Sequence, residues 1–161
     1  SDRLGEAAGA LADLVAETLA GVPVVAPAAT AAAASAPVES LPSPFDLAEV
    51  AADVDLAVVA AGMTTYELAS AGIPVVAVSL VENQRIVVEG CRATGIALGV
   101  DGVGRDPRAD VAAALRSLAD PEVRRRAAAT AMRPLDGHGA ERIANALLSA
   151  WTRPGTPGRG R

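Results

Sequence analysis

Residues 55–84, DLAVVAAGMTTYELASAGIPVVAVSLVENQ, decide the fold. An apolar run from Leu56 to Ala61 ends in the small-residue turn Ala60-Ala61-Gly62. A short helix is predicted over Thr64 to Ala71, stopped by Gly72. A second apolar run, Ile73 to Val81, then ends in the polar cluster Glu82-Asn83-Gln84. Strand, tight turn, helix and parallel strand make a βαβ unit with polar residues at the carboxyl ends of both strands. Ligands bind at that edge in open α/β sheets.

Working outward, Leu4, Ala8, Leu11, Leu14, Val15 and Leu19 recur at helical spacing, and Gly21 ends that helix. Val22 to Ala28 reads as a buried strand because it is rich in β-branched residues. Thr30 to Ala36 is an alanine tract, either a short helix or a loose crossover, and Pro37 to Leu41 is a candidate brief strand. The two prolines of Leu41-Pro42-Ser43-Pro44 demand a loop, and Asp46 to Ala52 fits one or two helical turns.

Beyond Gln84 a helix to about Ala93 precedes a strand over Gly95 to Val100. Further helices follow over Asp106 to Leu118, Pro121 to Met132 and His138 to Ala150. In the last of these, Ile143, Ala146, Leu147 and Ala150 share one face. Strands alternating with helices predict a doubly wound, Rossmann-like parallel sheet in a domain over residues 1–151, with strands near 22–28, 55–61, 73–81 and 95–100. Residues 152–161 hold Pro, Gly and Arg without periodicity and read as a disordered tail. Ser1-Asp2 leads straight into a helix, whereas such a domain normally opens on a central strand. The expectation is a fragment of a longer protein, cut just after its first strand.

The 161 residues are enough for one domain with a sizeable core. Hydrophobic residues make up 51% but aromatics only 2%, so the core must come from Val, Leu, Ile and Ala on closely approaching helices. The 14 basic residues are all arginine, a bias that a GC-rich bacterial genome would produce. A net charge of −5 without a basic stripe argues against nucleic acid as the main partner. No apolar segment reaches the roughly 18–20 residues of a membrane span. No secretory signal opens the sequence, and one cysteine builds no disulfide framework, so the expected location is cytoplasmic. Cys91, in a helical stretch, reads as a small buried hydrophobe.

The chemistry-bearing residues gather at the βαβ unit. A helix N-terminus exposes unpaired N–H groups and a partial positive charge, which suits phosphate. Gly62-Met63-Thr64-Thr65 presents one directly after a strand, with two threonine hydroxyls as further donors. Thr64-x-x-Glu67 is equally a capping box that satisfies the helix's own donors. Glu67 has a competing use, accepting hydrogen bonds from both hydroxyls of a ribose. Glu82-Asn83-Gln84 offers acceptors and amide donors suited to a sugar ring, or simply starts a helix.

His138, the single histidine, invites assignment as a general base, yet it lies at a glycine-flanked helix start with no partner pattern. His and Cys show no metal spacing, no cofactor is implied, and Arg124-Arg125-Arg126 reads as a solvated helix face.

Ala60-Ala61-Gly62-Met63-Thr64-Thr65-Tyr66-Glu67, Ala71-Gly72-Ile73-Pro74 and Glu82-Asn83-Gln84 together resemble a known pattern. It belongs to the C-terminal half of the UDP-sugar hydrolase of pseudaminic acid biosynthesis, roughly G-G-S-T-T-W-E, L-G-[IL]-P and E-N-Q. Asp136-Gly137-His138-Gly139-Ala140-Glu141-Arg142 is similar to that family's D-G-x-G-A-x-R, and Ser1-Asp2 to the tail of its first G-G-S-D loop. The layout also resembles, more loosely, the glycosyltransferase that adds N-acetylglucosamine to the lipid-linked peptidoglycan precursor.

Both families have the GT-B arrangement of two Rossmann-like domains, the C-terminal one holding the donor nucleotide. The resemblance implies that Glu67 binds the ribose hydroxyls and that Gly62, Met63, Thr64 and Thr65, with Ser1, hold the diphosphate. Backbone near Pro44-Phe45 would meet the base, and Asn83 and Gln84 would touch ribose or sugar. Ala61, Met63 and Tyr66 depart from the hydrolase's Gly, Ser and Trp. The expectation is that the N-terminal domain that carries the family's catalytic histidine lies outside this chain, so the implied partners are UDP or a UDP-sugar and that domain or a partner chain. No catalytic residue is assigned.

Three functions follow as expectations: the donor-binding half of a UDP-sugar hydrolase in bacterial surface-glycan biosynthesis, that of a glycosyltransferase, or a binding module without chemistry of its own.

Overall fold

The computed structural model describes residues 3–152, in which helices alternate with parallel strands. Helix α1 (Arg3–Thr18) leads into strand β1 (Val25–Pro27), helix α2 (Ala28–Ala33), strand β2 (Glu39–Leu41) and helix α3 (Leu47–Asp53). Then come β3 (Ala57–Ala60), α4 (Met63–Ser70), β4 (Val75–Ser79), a 3-10 turn (Glu82–Gln84), α5 (Arg85–Thr94) and β5 (Leu98–Asp101). Helices α6 (Arg108–Leu118), α7 (Pro121–Met132) and α8 (Gly139–Thr152) complete the order.

Local chemistry sets many of the boundaries. The Asp46 and Asp120 side chains accept from the backbone N–H of Ala48 and Glu122, each at 2.8 Å, and so cap α3 and α7. Pro121 opens α7, where its missing N–H costs nothing. Gly95 ends α5 at φ +72° with its N–H on Cys91 O, a conformation that glycine adopts without strain.

β4 is the centre of a three-stranded parallel sheet in the order β3-β4-β5, with Ala57 opposite Val75 and Val76 opposite Leu98. All five residues of β4 are buried, which accounts for its unbroken apolar run. Val75 and Ala77 join a cluster with Leu68, Ala69, Val88, Cys91 and Ala131. Val76 and Val78 face the opposite way, into Val111, Leu115 and Leu118 of α6, with Leu11, Leu14 and Val15 of α1 packed alongside. The protein is mixed α/β with parallel sheets and cores on both faces of the larger one.

The single sheet expected from the four apolar runs is instead two sheets. Among the described residues, β1 pairs in parallel with β2, and no ladder joins β1 to β3. The brief strand at 37–41 is thus the partner of β1, an assignment that an apolar run cannot reveal by itself. At β3, Ala57 and Ala61 donate to Pro74 O and Val78 O on the β4 side. Ladder alternation therefore turns the N–H and C=O of Val58 and Ala60 toward the open edge.

Helix α1 links the two sheets. Its Gly9 sits against α2 so closely that a Cβ would lie 2.6 Å from Ala33 O. Asp13 accepts from the N–H groups of Ser35 and Ala36, both at 2.7 Å, while Leu11, Leu14 and Val15 cover the larger sheet.

Three smaller expectations change. The alanine tract forms α2, beginning two residues before Thr30. Arg124 is not simply solvated, because its Nη1 donates to Leu118 O and Ala119 O, where the end of α6 concentrates negative partial charge. The final helix extends to Thr152, and its Ile143, Leu147 and Trp151 are exposed. Of the tail expected over 152–161, Thr152 belongs to this helix and residues 153–161 lie outside the described residues. Among the described residues, no helix is long and apolar enough to cross a membrane.

Candidate functional site

The turn after β3 is built tightly. Ala61 is buried and donates to Val78 O at 2.8 Å, which places Gly62 at the carboxyl edge of the sheet as the N-cap of α4. The Thr64–Glu67 capping box does not form. Because α4 starts at Met63, one residue earlier than expected, the capping hydroxyl belongs to Thr65. Thr65 is fully buried, its Oγ1 accepts from Gly62 N–H at 3.4 Å, and its own N–H donates to Gly62 O at 3.1 Å.

That geometry frees three groups. The Met63 and Thr64 N–H groups and the Glu67 carboxylate have no hydrogen-bond partner among the described residues. Glu67 is exposed, Thr64 half-buried and Met63 exposed. Gly62 has φ −160°, an extended conformation open to any residue, and a Cβ there would meet nothing nearer than Ala60 O at 3.9 Å. Neither backbone strain nor crowding within the chain requires glycine here.

At the end of β4, the Gln84 Oε1 accepts from Leu80 N–H at 2.8 Å and so closes its own turn. Asn83 is exposed and its side chain has no hydrogen-bond partner among the described residues. Behind them lies a polar network that sequence spacing did not indicate. Ser79, wholly buried, donates from Oγ to Asp101 Oδ1 at 2.7 Å and accepts from Gly102 N–H at 3.2 Å. Asp101 Oδ1 also accepts from Val103 N–H at 3.1 Å and Arg85 Nε at 3.3 Å. Arg85 continues from Nη1 to Glu82 Oε1 and from Nη2 to Val103 O, each at 3.0 Å. The only local signal was a polar residue at each strand's carboxyl end.

These donors, led by the Ser79 hydroxyl and the Val103 N–H, lower the Asp101 carboxyl from 3.8 to about 2. A folded value below the unfolded one stabilises the protein above the ordinary carboxylate range, and the stabilisation is lost as pH falls through about 2. Asp101→Asn is therefore expected to lower Tm at neutral pH and to flatten the acid limb between about pH 4 and 2. Wild-type and variant Tm profiles that run parallel through that window would contradict the assignment.

Three candidates remain. Phe45 is exposed in the segment between β2 and α3, after the cis Ser43-Pro44 peptide bond. Ser1 lies outside the described residues. His138 is exposed at the entry to α8, its Nδ1 3.4 Å from Glu141 Oε2, and its backbone N–H donates to Asp136 Oδ1. Asp136 is in turn held by Arg142, which keeps its carboxyl below the usual range. The Asp136-x-His138 and Arg142 contacts brace a helix start.

Cys91 is buried, and burial raises its thiol pKa. Among the described residues, no group of His, Cys, Asp and Glu is placed to hold a metal. A recess of about 580 Å³ on the outer side of β5, lined by Arg92, Leu98, Asp110 and Ser117 among others, includes none of the candidate ligand residues. No protein-family model matches the chain, and no curated protein matches it.

Proposed function

We propose that this chain is the nucleotide-sugar-binding half of a GT-B type UDP-sugar hydrolase, a doubly wound Rossmann-like domain that works in the cytoplasm of a bacterium on sugars destined for surface glycans. The observation that carries the reading is the start of α4, where two unpaired N–H groups, an open glycine and an uncommitted carboxylate meet at the carboxyl edge of a parallel sheet. Diphosphate lies against the N–H groups of Met63 and Thr64, where helix polarity favours negative charge. Glu67 accepts from the ribose hydroxyls, and Asn83 and Gln84 reach the sugar. The base lies against backbone near Phe45.

Chemistry requires a second wall, which an N-terminal domain or a partner chain supplies. His138 is exposed at the entry to α8, and the reading assigns its imidazole no part in the chemistry. The same observation favours a second reading, a binding module without chemistry. A glycosyltransferase donor half would share all the contacts above and differ in what attacks the sugar.

Gly62→Ala separates a ligand role from a folding role. The methyl group enters open space, so the cost in stability is expected to stay near 0.5–1 kcal/mol, from the weaker N-cap alone. Affinity for UDP is expected to fall about tenfold or more, because the same space is where phosphate approaches the backbone. Calorimetry showing undiminished UDP binding by Gly62→Ala would remove phosphate from this turn.

A further inference from the structure

We propose that Arg85 and Asp101 are positioning residues that hold the Glu82–Gln84 turn so that Asn83 and Gln84 meet a nucleotide-bound sugar; the inference rests on the nucleotide-sugar reading above. The three nitrogens of the Arg85 guanidinium go to three different places: a strand end through Asp101, the 3-10 turn through Glu82, and the loop after β5 through Val103 O. A planar fork suits such bridging, whereas an ammonium point charge cannot span all three acceptors.

The anchor beneath is equally committed. Asp101 Oδ1 collects donors from Ser79, Val103 and Arg85, and the buried Ser79 hydroxyl both donates and accepts. The loop abuts β4 so closely that a Cβ on Gly102 would lie 2.7 Å from Ser79 O. Two carboxylates, Glu82 and Asp101, offset the charge of Arg85, which makes it a brace and not a free clamp for phosphate.

The bracing uses up the Gln84 carbonyl and one Glu82 oxygen. On this turn the Asn83 side chain and the Gln84 amide nitrogen remain without hydrogen-bond partners among the described residues. Those are the groups whose orientation the brace decides. A misplacement of such donors weakens contact with the sugar and leaves the diphosphate contacts at α4 untouched.

The test is calorimetric titration of UDP and of UDP-N-acetylglucosamine into the wild type, Arg85→Lys and Ser79→Ala, with Tm recorded for each. The wild type is expected to bind the sugar nucleotide more tightly than UDP. Arg85→Lys keeps the charge but is expected to bind the sugar nucleotide about tenfold more weakly while UDP affinity stays within about twofold. Ser79→Ala, which keeps Arg85 and removes one anchor of Asp101 together with an acceptor for Gly102 N–H, is expected to lose part of the same increment.

An increment retained in Arg85→Lys would overturn the proposal, as would equal weakening of both ligands or a wild type that binds the two equally. A wild type that binds neither ligand would overturn the nucleotide-sugar reading itself, an outcome distinct from the loss of the brace alone.

Discussion

Replacing Leu115 by alanine is expected to destabilise the protein by about 2–5 kcal/mol, the largest effect of any substitution considered for this chain. Leu115 is wholly buried where α6 meets the sheet, among Val76, Val78, Val100, Val111 and Leu118. Removing its terminal carbons loses both transfer free energy and the contacts of the atoms that lined them. The neighbours are short and mostly β-branched, so few rotamers are available to refill the space. None of the three aromatic residues, Phe45, Tyr66 and Trp151, packs in this cluster. Urea unfolding is expected to show a lower midpoint with an unchanged slope, the mark of lost native-state stability. A loss under about 1 kcal/mol would mean that α6 does not pack on the sheet as described.

Glu67→Ala is expected to have the largest effect on binding. The carboxylate is exposed, has no hydrogen-bond partner among the described residues, and sits on the first turns of α4. Its removal should therefore cost little stability, within about 0.5 kcal/mol. A pair of hydrogen bonds from ribose hydroxyls to a charged acceptor is worth about 1.5–3 kcal/mol, so UDP affinity should fall roughly ten- to 150-fold. Inorganic pyrophosphate, which lacks the ribose, should bind the variant and the wild type alike. Equal loss for both ligands would place Glu67 on the phosphates or in the fold, and an unchanged UDP affinity would remove it from the site.

Particular residues show what sequence spacing can and cannot reveal. The β3-α4-β4 unit was legible because an apolar run buried on both faces, a turn of small residues and a glycine stop at Gly72 are all local signals. Asp46 and Asp120 announce their helices in the same way, each accepting from an N–H two residues ahead. One residue of uncertainty in the start of α4 was enough to move the capping hydroxyl from Thr64 to Thr65 and to release Glu67.

Pairing was not legible, since a run such as Val22 to Ala28 does not say which strand it joins. The brace was hidden for the same reason: Ser79 and Asp101 are 22 positions apart and meet only because β4 and β5 align in register. Arg124 belongs to this group as well, its role at the end of α6 being set by the angle of the next helix.

The most direct test of the nucleotide-sugar reading is to titrate the isotopically labelled chain with UDP and follow every backbone amide by NMR. The account predicts saturable shifts concentrated on 61–67 and near Phe45, with Met63 and Thr64 among the largest because their N–H groups would gain an anionic acceptor. Absence of saturable shifts from well-folded protein, or shifts centred on the recess beside Arg92 and Ser117, would contradict it.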